Sequence, residues 1–338
     1  MKTLAIRADA LPATGLGHLT RCLALAHAAR AAGWRVHGIG RIGDPAVRAR
    51  ARQSLDAWHD CPASHPDPAD LPATLAALDD IAPDWIVLDG YAFDTGYQRA
   101  LRARARLLVL DDGPRLDRYG ADLLLDQNLG AESRSYVLED GGRCLLGSAY
   151  ILLRPAFLEQ RADRSRSASR LLVTLGGIVE RPALEAILAG LAQVEAPLDI
   201  TLLTGTDPAA LEWAREHVPP PHRWNLLPWH DDMPALMAAA DLAIAAAGST
   251  AWELAYMGLP ALLLVLADNQ AGIATALQAA GTAVNLGVCD AGFAARLAGE
   301  LERLLADPPR RERLSAQARA LVDGRGAQRV LEAMRCKR

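Results

Sequence analysis

Short runs of consecutive apolar residues alternate along this chain with longer segments whose apolar positions recur at helical spacing. In the first half the runs are Leu4 to Ala8, Arg35 to Ile39, Trp85 to Leu88, Leu107 to Leu110 and Leu123 to Leu125. Their apolarity is continuous rather than alternating, as in strands of a parallel sheet covered on both faces, and the segments between them complete βαβ units. Leu19 to Ala32, for example, carries Leu19, Cys22, Leu23, Leu25 and Ala26 on one helical face. The pattern breaks from Gln160 to Arg170, a charged, serine-rich stretch without apolar period that reads as an interdomain linker. A second series follows, with strands expected at Leu171 to Leu175, Asp199 to Leu203, Trp224 to Leu227, Leu242 to Ala246 and Ala261 to Val265. Pro308-Pro309 opens a terminal helical region that runs through Leu314 and Val322 to Met334, interrupted at Asp323-Gly324-Arg325-Gly326. The expectation is two doubly wound, Rossmann-like α/β domains, residues 1–160 and 171–338, facing each other across a cleft. The terminal helices are expected to pack back on the first domain.

The 338 residues suit two domains of roughly 150 residues each. The net charge is -4, with both signs interspersed, which lacks the concentrated basic surface of a nucleic-acid binder. Cys22, Cys61, Cys144, Cys289 and Cys336 are scattered without CxxC spacing, so neither a disulfide framework nor a zinc site is indicated. Met1-Lys2-Thr3 leads straight into a strand with no h-region. The longest apolar stretches, such as Leu242 to Ala247 and Pro260 to Ala267, fall far short of the ~20 residues a membrane span needs. A cytoplasmic protein acting on a small molecule is expected, with no membrane, nucleic-acid or obligate protein partner.

Gly15-Leu16-Gly17-His18 places a glycine turn after the first strand and an imidazole at the opening of the helix that follows. A helix N-terminus disfavours a proton there, and a neutral imidazole is what a general base requires. A histidine in that position also serves as a helix cap, and position alone does not choose between the two. In open α/β sheets ligands bind beyond the carboxyl ends of the strands, and several loops there have suitable composition. Ala247-Gly248-Ser249-Thr250 turns from an apolar run into a helix containing Glu253, and backbone amides at such a turn bind phosphate oxygens. Ser249 as a plain N-cap is compatible with that role. Leu175-Gly176-Gly177 repeats the arrangement. Ala267-Asp268-Asn269-Gln270 offers polar side chains for sugar or phosphate, or simply a turn and cap. Asp89-Gly90-Tyr91 and Asp111-Asp112-Gly113 also end strands. The aspartate pair has no further acidic partner at fixed spacing, so holding a loop or bonding substrate fits it better than magnesium. No GxGxxG and no GxxxxGK[ST] occurs, which argues against a dinucleotide or P-loop site.

Taken together these motifs identify a resemblance. Ile6-Arg7-Ala8-Asp9, Gly15 to Cys22, Leu88 to Tyr91, Asp111-Asp112, Leu125 to Asn128, Leu152 to Pro155, Ala247 to Glu253 and Ala267 to Gln270 resemble the UDP-sugar hydrolases of pseudaminic acid biosynthesis. These are similar in fold to MurG-type glycosyltransferases of the GT-B class. The resemblance implies that a UDP-linked 2,4-diacetamido-2,4,6-trideoxy-hexose is hydrolysed at its anomeric carbon with inversion, releasing UDP. His18 would activate water, without metal or other cofactor, since helix dipoles and amides stabilise a leaving diphosphate. By the same carry-over Asp9, Gly17 and Tyr91 would line the sugar side, and Glu253 would bind the ribose. The backbone near Met233 would read uracil, while Gly176, Gly177, Gly248, Ser249, Thr250, Asn269 and Gln270 would hold the diphosphate and adjoining sugar. Two features depart from the pattern: Ile178-Val179 follow the Gly-Gly turn where an aspartate is common, and Pro234 removes a backbone donor beside Met233. A GT-B glycosyltransferase using a UDP-sugar donor, and a non-catalytic nucleotide-sugar binding protein, are the alternatives.

Overall fold

The computed structural model describes residues 1–11, 15–160, 168–177, 179–228, 230 and 232–336. They form two compact units, Met1–Pro155 with Gly324–Arg338 and Ala156–Asp323. The first unit contains β1 (Thr3–Ala8), β2 (Arg35–Gly40), β3 (Ala57–Asp60), β4 (Trp85–Asp89), β5 (Arg106–Leu110), β6 (Leu123–Asp126) and β7 (Arg143–Leu146). They make one parallel sheet in the order β3-β2-β1-β4-β5-β6-β7. The second unit contains β8 (Arg170–Thr174), β9 (Asp199–Leu203), β10 (Arg223–Leu227), β11 (Leu242–Ala246), β12 (Ala261–Val265) and β13 (Val284–Val288). Their order is β10-β9-β8-β11-β12-β13, again parallel throughout. In each sheet the strand order reverses beside its first strand, at β1/β4 and at β8/β11, which opens a crevice at the carboxyl ends.

The continuous apolar runs have the expected cause. Along β1, Leu4, Ile6 and Ala8 join a core with Cys22, Leu25 and Ala29 of the helix Gly17–Ala31, whereas Ala5 points into a second core with Leu78, Tyr97 and Leu101. Three strands absent from the sequence expectation, β3, β7 and β13, all lie at sheet edges. Edge strands are covered less, so Ala57-Trp58-His59-Asp60 and Val284-Asn285-Leu286-Gly287-Val288 carry no continuous apolar signal.

The expected domain limits need correction. The change of unit falls at Pro155/Ala156, ahead of the linker expected at 160–170, of which residues 161–167 lie outside the described residues. The closing helix Gly326–Arg335 belongs to the first unit rather than to a domain 171–338. Its Val330, Leu331 and Met334 enter the core that holds Leu4, Ala26 and Trp85, and the Trp85 indole N–H donates to the Met334 carbonyl at 3.0 Å. Gly326 permits the approach: a Cβ there would lie 2.1 Å from the Ile151 carbonyl oxygen. The helix before it, Pro308–Leu321, packs on Ser249–Met257 inside the second unit. No helix among the described residues is long and apolar enough to cross a membrane.

Candidate functional site

In the first unit the crevice between β1 and β4 is filled by charged side chains. Register pairs Ala8 with Asp89, so the last residue of β4 stands beside the loop that leaves β1. That loop ends in the helix Gly17–Ala31, whose N-cap is Leu16 and which makes no side-chain cap bond. His18 is therefore not a cap. It is buried, and its Nδ1 lies 2.7 Å from Asp89 Oδ1. One helical turn on, Arg21 grips the same carboxylate with both arms, Nε to Oδ2 at 2.6 Å and Nη2 to Oδ1 at 2.7 Å. The Cys22 thiol approaches Asp89 Oδ2 at 3.6 Å.

Burial by itself would push the Asp89 carboxyl up, but Arg21 and then His18 outweigh it and hold the group below the usual carboxylate range. An ionised carboxylate only accepts, so the proton of a neutral His18 ring sits on Nδ1 and the lone pair on Nε2. Arg21 Nη2 also comes within 3.4 Å of Nδ1, too far to compete with the 2.7 Å contact to Asp89. Among the described residues no group bonds Nε2. Burial and the Asp89 charge push the Cys22 thiol well up, which leaves it an unreactive donor.

The expected aspartate pair separates into two roles. Asp112 receives Arg21 Nη1 at 2.6 Å, the Tyr91 hydroxyl at 2.6 Å and the Asn128 amide at 3.2 Å. Burial is again outweighed by Arg21, holding its carboxyl well below the usual range. Asp111 turns instead to Arg115 and to the Tyr119 hydroxyl. Tyr91 stands edge-on to His18, ring centroids 4.5 Å apart, with the Arg115 guanidinium 3.6 Å from its ring centre. The sequence pointed to Asp89 and Asp112 only as strand-end residues, the aspartate pair as one that holds a loop or bonds substrate, and it gave Arg21 and Asn128 no individual role. The available signal was the spacing of Arg21 three residues after His18, together with the position of each acid at a strand's carboxyl end.

Asp9 belongs to a different cluster. Its carboxylate is held by Arg7 Nη1 at 2.7 Å and by the Arg41 amide at 2.8 Å. Arg7, fully buried, also reaches Asp70, Thr74 and Tyr97. Gly17, by contrast, has open space where a Cβ would stand.

In the second unit the corresponding crevice is lined by backbone. Gly176 and Gly177 follow β8, and Gly248 and Ser249 follow its parallel neighbour β11. Gly176 is left-handed (φ +98), and Gly177 accepts the Thr206 amide at 3.0 Å. The residue that caps the helix Ser249–Met257 is Gly248, with no side-chain cap bond, which corrects the reading of Ser249 as N-cap. Ser249 is exposed and Glu253 buried. The helix Asp268–Ala279 starts beside it, with Asn269 exposed. Gln270 folds its carbonyl oxygen back to the Leu266 amide (2.9 Å) and brings Nε2 to 3.9 Å from where a Gly248 Cβ would stand. Met233 opens the helix Met233–Ala239 and is buried, behind Asp232, which caps the helix through the Ala235 amide. Ile178 lies outside the described residues.

Comparison with known proteins agrees with this architecture. Residues 173–330 match the glycosyltransferase family 28 C-terminal domain. The whole chain adopts the GT-B fold: it is similar to the crystal structure of Acinetobacter baumannii MurG at a TM-score of 0.70 and 17% identity, covering 99% of both chains. The spore coat polysaccharide biosynthesis protein SpsG of Bacillus subtilis is 30% identical over 188 residues, 54% of this chain and 56% of that protein. A UDP-N-acetylglucosamine--N-acetylmuramyl-(pentapeptide) pyrophosphoryl-undecaprenol N-acetylglucosamine transferase of Alkalilimnicola ehrlichii is 38% identical over 172 residues, 47% of each chain. The matches thus span about half the length of these curated relatives.

Proposed function

We propose that this protein is an enzyme that takes a UDP-sugar as donor and transfers its glycosyl group to a nucleophile deprotonated by His18. One observation carries the reading: Asp89 fixes Nδ1 of a buried imidazole, so Nε2 is presented, with its lone pair, at the strand-order reversal where such sheets bind ligands. As the nucleophile attacks the anomeric carbon, its proton passes to Nε2, the bond from that carbon to the diphosphate oxygen breaks, and UDP leaves with the electron pair. The family 28 match over the second unit supports a nucleotide-sugar donor. On this reading the backbone at Gly176, Gly177 and Gly248, with Ser249, Thr250, Asn269 and Gln270, binds the diphosphate and the adjoining sugar, the amides at the start of the helix Ser249–Met257 taking phosphate oxygens. Glu253 binds the ribose and the backbone at Met233 the uracil. Asp9, Gly17 and Tyr91 face the sugar.

An acceptor hydroxyl is the nucleophile the comparisons favour, because the curated transferase among the relatives moves N-acetylglucosamine to an acceptor by its name. Water is the second reading, which makes the protein a UDP-sugar hydrolase of the pseudaminic acid type. What favours it is that His18, Arg21, Cys22, Asp89, Tyr91, Asp112 and Asn128, all within the motifs that carry that resemblance, join one bonded network. Proton and phosphorus NMR of UDP-sugars incubated with the protein, with and without candidate acceptors, tests both. Transfer reads out as a new glycoside formed only with acceptor, and hydrolysis as free sugar formed without one. Tight UDP-sugar binding with neither product would leave a binding protein and refute the enzyme reading.

A further inference from the structure

A histidine base that takes up a proton becomes a cation, and an adjacent carboxylate ordinarily supplies the compensating charge. Here that supply is cancelled, since Arg21 holds both oxygens of Asp89 in a bidentate ion pair. The groups facing His18 come from three elements. The helix Gly17–Ala31 brings Arg21 and Cys22, the end of β4 brings Asp89 and Tyr91, and the loop after β5 brings Asp112. Behind them stand Arg115 with Asp111 and Arg134 with Asp126, each a neutral pair. Asp89 and Asp112 share the single Arg21 guanidinium, each at 2.6 Å, so the triad carries one net negative charge beside the neutral imidazole, and that charge is present only while Asp112 is ionised.

We infer that Asp112 is a positioning residue that restores, through Arg21, the negative charge an imidazolium at His18 requires. The inference rests on the reading of His18 as the base. The surroundings of Asp112 are built to keep it ionised and still. Arg21, Tyr91 and Asn128 donate to its carboxylate, while Arg134 Nη1 donates to its main-chain oxygen at 2.7 Å. Its hold on Arg21 Nη1 also keeps that side chain from moving wholly onto Asp89, where Nη2 and His18 Nδ1 already share Oδ1. The ring of contacts closes on itself, because Tyr91, bonded to Asp112, packs edge-on against His18.

The test is a pH titration of the His18 ring protons by NMR on the full chain without substrate, in the parent protein, Asp112→Asn and Asp112→Glu. Removing the charge lowers the His18 titration midpoint by about one pH unit in Asp112→Asn, while Asp112→Glu, which keeps the charge, stays close to the parent. In turnover, kcat of Asp112→Asn falls about tenfold with KM for the UDP-sugar unchanged, and the acid limb of the profile moves to lower pH. If Asp112→Asn does not unfold cooperatively, Asp112→Ser removes the same charge and must lower the midpoint likewise. A midpoint that is unmoved or raised in a folded, charge-removing variant overturns the inference. A lowered midpoint combined with full turnover in His18→Ala upholds the charge relation and refutes the base instead, so the two failures are distinguishable.

Discussion

The two units share one order over six strands, to which the first adds β7, and differ in what they place where that order reverses. At β1/β4 stand His18, Arg21 and Asp89, with Asp112 beside them, interlocked by charged hydrogen bonds. At β8/β11 stand Gly176, Gly177 and Gly248, presenting main chain at the start of a helix. On the proposed reading the same sheet geometry serves two chemistries, because a doubly wound sheet fixes where loops converge and leaves their content open. Side chains that trade protons need burial and partners to set their charge. Anion binding by amides needs the opposite, small residues that leave the backbone open.

The contrast can be broken from either side. Replacing His18 by alanine has the largest expected effect, a loss in kcat of about 10²- to 10⁴-fold with the Kd for UDP nearly unchanged, read by steady-state kinetics beside calorimetry. Ser249→Asp acts on the other unit. A carboxylate at the start of Ser249–Met257 favours the helix by about 0.5 kcal/mol, yet it should weaken UDP binding roughly tenfold. A variant that melts no lower but binds UDP as well as the parent would remove the phosphate role of that turn. Leu331→Ala leaves a cavity where the closing helix meets the first core, at a cost of about 2–5 kcal/mol. Denaturation followed by hydrogen exchange should show the loss in the first unit while strands β8 to β13 keep their protection.

The smallest effect is one of pH. Asp89 and Asp112 are held below their ordinary range, so their contribution to stability is present above the unfolded value near 4 and is lost as pH falls below it. Denaturant midpoints taken at about pH 5 and about pH 3 should fall more for the parent than for Asp112→Asn. An equal fall would mean that the depressed carboxyls do not weigh on folding.

The strands that lie inside each sheet were legible because burial on both faces demands an unbroken apolar run, as in Leu242 to Ala246. Edge strands such as β3 and β7 were not, since solvent on one side relaxes that demand. Gly326–Arg335 reads as a helix from its spacing, but its return to the first unit depends on Val330, Leu331 and Met334 meeting a core that includes Leu4 and Trp85, far away in the chain. His18 was legible from its turn. Asp89, Tyr91 and Asp112 were legible as strand-end residues, but their bonding around His18 was not, because the pairing of Ala8 with Asp89 is a property of strand register that no spacing along the chain encodes.

In the proposed reaction the imidazole fixed by Asp89 abstracts the proton of the nucleophile that displaces UDP. The most direct test of this step is the anomeric proton signal of a UDP-sugar followed in time by NMR, with the parent protein and with His18→Ala at matched UDP occupancy. With His18 as the base, the UDP-linked signal decays with the parent protein and persists with the variant. Decay at the same rate in both would contradict it.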